Sequence, residues 1–268
     1  MTMLLTLSSG SMRNRLSANG HRGLGILDLP AFTVKELQLH GLNLPASMLS
    51  GWSLEDLDKL RDRADKAACP CLVLIEDAPL MLAHDDDKVR RNATERVRRL
   101  AVAANRLGCN AVALRCEAPE TPEAFDVVAD EVRSIMPSVE RLELNILLSP
   151  CAGLTATTER LTSLIKRIGG FRIGSLPSFG AAAASGAGDP TEGLRKLAPY
   201  AGAIQATVEG FTKKGAHKSY DLAACVSAVR SVGFLNTLAI DYIGDGDPVA
   251  NIELARGILQ KAIDSEAE

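Results

Sequence analysis

The stretch NRLGCNAVALRCE, Asn105 to Glu117, closes a helix, stops at a glycine and runs into a short apolar strand that ends on polar residues. The same junction recurs in KRIGGFRIGSLPS (Lys166 to Ser178) and RSVGFLNTLAIDY (Arg230 to Tyr242), and in DKAACPCLVLIED (Asp65 to Asp77) with Cys-Pro in place of glycine. Gly108, Gly169 and Gly233 stand where a helix leaves through a left-handed residue, a conformation glycine adopts without strain. The apolar run behind each is too short for a helix and dense enough for a parallel strand buried on both faces. About eight such junctions along the chain predict one (β/α)8 barrel, an α/β TIM barrel spanning residues 1–268. Strands are expected near Met3 to Ser8, Leu37 to Leu44, Cys71 to Asp77, Ala111 to Cys116, Leu142 to Leu148, Phe171 to Ser178, Ala203 to Val208 and Thr237 to Tyr242.

Composition narrows the class. With 268 residues, 46% hydrophobic and 24% charged, the chain resembles an ordinary globular domain and is long enough for a large core. A net charge of −3 gives no reason to expect nucleic acid or a membrane surface, so a small metabolite is the expected partner. The six cysteines show neither CxxC pairs nor zinc-ligand spacing, which suits buried thiols in a reducing cytoplasm. The opening MTMLLTLSSGSM has no basic leader and only a brief apolar stretch, so it reads as the first strand rather than a targeting segment.

Helices are expected between the strands. Ser53 to Ala68 carries an N-cap serine, Asp56 at the capping-box position and an apolar stripe of Leu54, Leu57 and Leu60. Asp87 to Leu107 is basic on one side, through Arg90, Arg91, Arg96, Arg98, Arg99 and Arg106, and that side reads as a solvated outer face because no aromatic residue interleaves. The last helix begins at Asp247-Pro248, reaches about Ile263 and leaves Asp264 to Glu268 as a fraying tail. Two segments read as loops: Phe179 to Asp189, small and glycine-rich, and Gly210 to Ser219, which carries Lys213, Lys214, His217 and Lys218. Cys151 lacks a neighbouring base and reads as a packed thiol; the stretch Gly244 to Pro248 reads as a turn into a helix cap, not a calcium loop.

In a barrel the working residues stand at the carboxyl ends of the strands. By the strands above these are Ser8 and Ser9, His40 and Asn43, Glu76 and Asp77, Arg115 and Glu117, Ser149, Ser178, then Gln205, Thr207 and Glu209 on one face, and Asp241 and Tyr242. Carboxylates and arginines gathered there point to a polar pocket, since each needs a partner or water.

From about Leu142 the chain resembles the xylose isomerase-like barrels, a superfamily of sugar and sugar-phosphate isomerases and epimerases. The resemblance lies in LNILLSPCAGLTATTERLTSLIKRIGGFRIGSLPSFGAA, DPTEGLRKLAPYAGAIQATVEGF and GFLNTLAIDYIGDGDPVANIELARGIL. It implies a sugar-like substrate and a divalent metal, Mg²⁺ or Mn²⁺, held at the ends of strands five to eight. At the matching positions Ser149 replaces a glutamate, Ser178 an aspartate, Ala181 an asparagine, Thr207 a lysine and Ile243 a second glutamate. Gln205 and Asp241 keep an amide and a carboxylate, a thin donor set for a hard cation.

Three readings follow. One is an isomerase or epimerase with a rebuilt, degenerate site: Asp241 with Glu209 or Glu76 moves the proton, Arg115, His40 or His217 polarises the carbonyl, and Lys213, Lys214 and Lys218 meet an anionic group on the substrate. The second is a non-catalytic barrel that binds a sugar-like ligand or a protein partner. In the third, a metal is kept by replacement ligands such as Glu76, Asp77 or Glu117.

Overall fold

The computed structural model describes residues 3–16, 23–186 and 188–265. Eight strands form one parallel sheet: β1 (Leu4–Ser8), β2 (Leu42–Pro45), β3 (Cys71–Ile75), β4 (Ala111–Leu114), β5 (Asn145–Leu148), β6 (Ile173–Ser175), β7 (Ala203–Val208) and β8 (Thr237–Tyr242). Their order is β6-β5-β4-β3-β2-β1-β8-β7, so each strand lies beside its sequence neighbour and β1 pairs with β8. The seam between β6 and β7 has single bridges rather than a ladder, with Gly202 N–H donating to Ser175 and Gln205 N–H to Pro177 at 3.1 and 2.9 Å. This is the (β/α)8 arrangement that the junctions predict.

Helices cover the outside: α1 (Leu29–Lys35), α2 (Leu54–Lys66), α3 (Asp87–Leu107), α4 (Pro122–Glu140), α5 (Thr158–Ile168), α6 (Phe179–Ser185), α7 (Thr191–Leu197), α8 (Leu222–Arg230) and α9 (Pro248–Asp264). The Ser53 hydroxyl accepts from Asp56 N–H while the Asp56 carboxylate accepts from Ser53 N–H, a capping box that stabilises α2 by about 1 kcal/mol. Asp247 caps α9 with Pro248 in its first turn. Residues 266–268 of the expected tail lie outside the described residues.

Alternation along the strands separates two apolar layers. Leu5, Leu7, Leu42, Leu44, Leu74, Val112 and Leu114 face outward into the main core against the helices. Burying a leucine of that layer contributes about 1.5 to 3 kcal/mol, so the layer holds the helices to the barrel. Inward, Val73, Ile75, Ala111, Ala113, Leu147, Leu176 and Ala203 fill the barrel. Leu147 plugs its middle: a Cβ on Gly202 would come within 2.6 Å of it and one on Gly174 within 3.3 Å.

Two expectations are corrected. The second strand starts at Leu42, not Leu37, because α1 runs out through Gln38 at φ +53, and Leu37 and Leu39 donate back to Phe32 and Thr33. The segment after β6 is helical over Phe179–Ser185, not a loop. Four alanines favour helix, the Ser178 hydroxyl caps it by accepting from Ala181 N–H at 3.1 Å, and Phe179 is fully buried.

Candidate active site

The carboxyl ends of the strands surround a cavity of about 620 Å³. Because Val73 and Ile75 face inward, the next inward residue of that strand is Asp77, and by the same alternation Arg115, Ser149, Gln205 and Asp241 reach the mouth from β4, β5, β7 and β8. Ser8, Pro45, Ser178 and Ile243 complete much of the wall.

Two of its groups are free for chemistry. Asp241 is half-buried at the end of β8. Burial raises its carboxyl above the usual aspartate value, against the opposing hydrogen bond from the Ser8 hydroxyl and the charge of Arg13. Arg115 is half-buried, donates from Nη1 to the Asp77 carbonyl at 3.1 Å and forms no ion pair among the described residues. A carboxyl shifted toward neutrality and a guanidinium without a counter-ion thus face one polar space.

Asp77 is already engaged. Its carboxylate accepts from Ser47 N–H at 3.0 Å and from the Ser47 hydroxyl at 2.5 Å, and lies 3.4 Å from Arg13 Nη2. Burial acts to raise this carboxyl, but the Ser47 bonds and Arg13 outweigh it and hold it below its ordinary value.

Arg13 is a site residue that strand-end reasoning misses. It comes from a 3-10 segment, Ser9–Arg15, that follows β1 across the mouth, pinned where Ser11 Oγ accepts from Tyr242 N–H at 2.8 Å and where Arg15 meets Asp247 at 2.9 Å. The only signal for it in the sequence is a basic pair in the polar run SSGSMRNR.

The other expected site residues lie elsewhere. Glu76 is 4% exposed and turns outward, with Oε2 2.6 Å from Arg96 Nε. His40 is exposed and precedes β2, at the amino end of the barrel. Glu117 is exposed, and so are Lys213, Lys214 and Lys218 on the loop after β7; none of these residues lines the mouth cavity.

Glu209 and His217 are tied to each other. His217 Nε2 accepts from Glu209 N–H at 3.1 Å, which leaves Nδ1 to carry a proton toward the Tyr220 carbonyl at 3.2 Å. The Glu209 carboxylate accepts from the Ser219 hydroxyl, and Tyr220 donates to the Thr207 carbonyl at 2.6 Å. Burial lowers the His217 pKa. The pair pins the loop and does not face the mouth.

A family model described as xylose isomerase-like TIM barrel matches residues 32–262. The chain belongs to that family. This xylose isomerase-like barrel is similar in structure to L-ribulose 3-epimerase, with 14% identity over 98% of this chain and 95% of that one and a TM-score of 0.81. The 3-keto-D-glucoside 4-epimerase YcjR of E. coli matches at 12% identity and TM-score 0.78, covering 97% and 99% of the two chains. A D-psicose 3-epimerase structure obtained with D-fructose matches at 10% and 0.75, covering 97% and 96%. At such identities the likeness is one of fold. No curated protein sequence matches the chain.

The positions that the family resemblance implies for a metal converge on the mouth as Ser149, Ser178, Gln205 and Asp241. The Ser178 hydroxyl is occupied as the cap of α6, and Ile243 puts an apolar side chain, 60% exposed, where a second carboxylate would stand. Among the described residues no three His, Cys, Asp or Glu side chains are grouped to hold a metal ion. One carboxylate and one amide do not fit Mg²⁺ or Mn²⁺, which draw on several oxygen donors, carboxylates among them.

The six cysteines are all free and buried. Burial pushes Cys71, Cys116 and Cys225 up to about 12, so these thiols pack and do not attack. Among the described residues no helix is long and apolar enough to cross a membrane.

Proposed function

We propose that this barrel is an isomerase of a sugar or related ketone-bearing polyol, working by proton transfer with a degenerate metal site. The observation that carries this reading is the pairing in one cavity of Asp241, a carboxyl raised by burial, with Arg115, a guanidinium without a counter-ion. Asp241 removes the proton from the carbon next to the substrate carbonyl. Arg115 donates to the carbonyl oxygen as negative charge develops there. Gln205 and Ser149, which line the same cavity, hold substrate hydroxyls in this reading.

The count of free carboxylates chooses between reactions. Epimerisation returns the proton to the opposite face of the carbon and draws on a second acid, whereas isomerisation returns it to the neighbouring carbon on the same face while the hydroxyl proton passes to the former carbonyl oxygen. Glu76 and Glu209 are committed elsewhere and Asp77 is held ionised by Ser47 and Arg13. One free carboxyl favours isomerisation.

The test is turnover of ketopentoses and ketohexoses by EDTA-treated protein, with calorimetric titration of Mn²⁺ alongside. Aldose formation without added metal, and no Mn²⁺ heat up to about 1 mM, supports the reading. Turnover that returns only with Mn²⁺ overturns the metal-free step, and binding of a sugar without turnover favours the ligand-binding barrel.

A further inference from the structure

Glu76 and Asp77 leave β3 on opposite sides, and Glu76 faces a second cavity of about 470 Å³ outside the sheet, between α2 and α3. Its floor is apolar, formed by Leu57, Leu74, Leu100 and Ala103, and the half-buried indole of Trp52 forms a wall. Two arginines one turn apart on α3, Arg96 and Arg99, stand at its edge.

Asp77 also lines this cavity, but Arg13 and Ser47 already hold its carboxylate, and that leaves the charges there unbalanced. Glu76 neutralises Arg96, with its other oxygen accepting from Ala78 N–H at 3.3 Å. Arg99 makes no ion pair among the described residues, whereas Arg90, Arg98 and Arg106 of the same helix pair with Asp87, Glu95 and Asp58. An apolar floor, an indole and one uncompensated guanidinium together select an anion carried on a flat apolar body. A bare anion gains nothing from the floor, and a neutral ring gains nothing from Arg99.

We propose that this cavity is a second ligand site, separate from the barrel mouth, for a small aromatic carboxylate. The ring lies against Trp52 and the leucines while the carboxylate meets Arg99. The site does not depend on what the mouth does. Its partition from the mouth is nonetheless thin, because Asp77 lines both cavities and Ser47, which lines the second, holds its carboxylate.

Trp52 is the only tryptophan in the chain, so its emission reports on this cavity. The experiment titrates the full chain with benzoate, benzyl alcohol and acetate, each to about 10 mM, and repeats benzoate on Arg99→Gln and Arg115→Gln. The expected result is a saturable change with benzoate at a dissociation constant of about 1 mM, and binding about tenfold weaker for the other two probes. Arg99→Gln weakens benzoate about tenfold and Arg115→Gln leaves it unchanged. Equal response to benzyl alcohol, indifference to Arg99→Gln, loss in Arg115→Gln, or no saturable change overturns the proposal. Arg99 is exposed, so its variant keeps the fold.

Discussion

The Oε2 of Glu76 lies 2.6 Å from the Nε of Arg96, and this pair neutralises on the outer side of β3 a carboxylate that strand alternation already turns away from the barrel mouth. Removing one partner leaves the other without compensation. Arg96 is 42% exposed, so water meets part of that cost and the loss falls below that of a fully buried pair. Glu76→Ala is expected to lower stability by about 1 to 3 kcal/mol, read from the urea midpoint, with turnover unchanged. Lost turnover at an unchanged midpoint would put Glu76 in the chemistry.

Asp241 gives a pH dependence opposite to that of a salt-bridged aspartate. Its folded pKa is raised, by burial first, above the ordinary 3.8. Between the unfolded and folded values the native state binds more protons, so stability falls as pH rises through that window. Asp241→Asn removes this fall, and thermal midpoints of the two proteins are expected to diverge as pH climbs above about 4, the variant being the more stable.

His217 works with the reverse sign. Its folded pKa lies below the ordinary 6.5 because burial disfavours the charged ring. Stability from this group is present above the unfolded value and is lost as pH falls through the folded one. Protonation also turns Nε2 into a donor facing Glu209 N–H, which breaks the pin. Protection factors for hydrogen exchange at residues 210–219, with intrinsic rates divided out, are expected to be lower at about pH 5 than at about pH 7.5, and His217→Phe should abolish the difference.

Arg115 is expected to matter through the transition state. Arg115→Gln should lower kcat by about a hundredfold with a smaller change in KM, because the charge on the carbonyl oxygen grows only as the reaction proceeds. An unchanged kcat with a raised KM would make it a binding residue instead.

Much of the fold is legible in the sequence because the helix exits repeat. Gly108 does leave its helix at φ +77 and Gly169 at φ +72 with an extended ψ, while Gly233 takes φ +80 in the turn after α8, whose cap is Ser231. Elsewhere the exit is hidden: Gln38, Ala68 and Glu143 take positive φ without being glycine, and Gln38 is why the second strand begins late and His40 falls at the wrong end of the barrel for the mouth.

The site is less legible, for reasons of register and reach. Glu76 and Asp77 are neighbours on opposite sides of the strand, and only Asp77 reaches the mouth, so a shift of one residue changes which carboxylate is offered there. The partner of Glu76 is Arg96, twenty positions on and part of a basic row that reads as solvated, and Arg13 belongs to a segment with no periodicity to mark it. Alternation alone does place Gln205 and Asp241 at the mouth.

The central claim is that Asp241 moves a proton without a metal. The direct measurement is NMR of ketopentoses and ketohexoses incubated in D2O with EDTA-treated protein, wild type against Asp241→Asn, following deuterium at the carbons beside the carbonyl. The account predicts exchange with at least one sugar in the wild type, unaffected by EDTA and reduced about a hundredfold or more in the variant. Exchange that persists in Asp241→Asn, exchange that EDTA abolishes, or none with any sugar would contradict it.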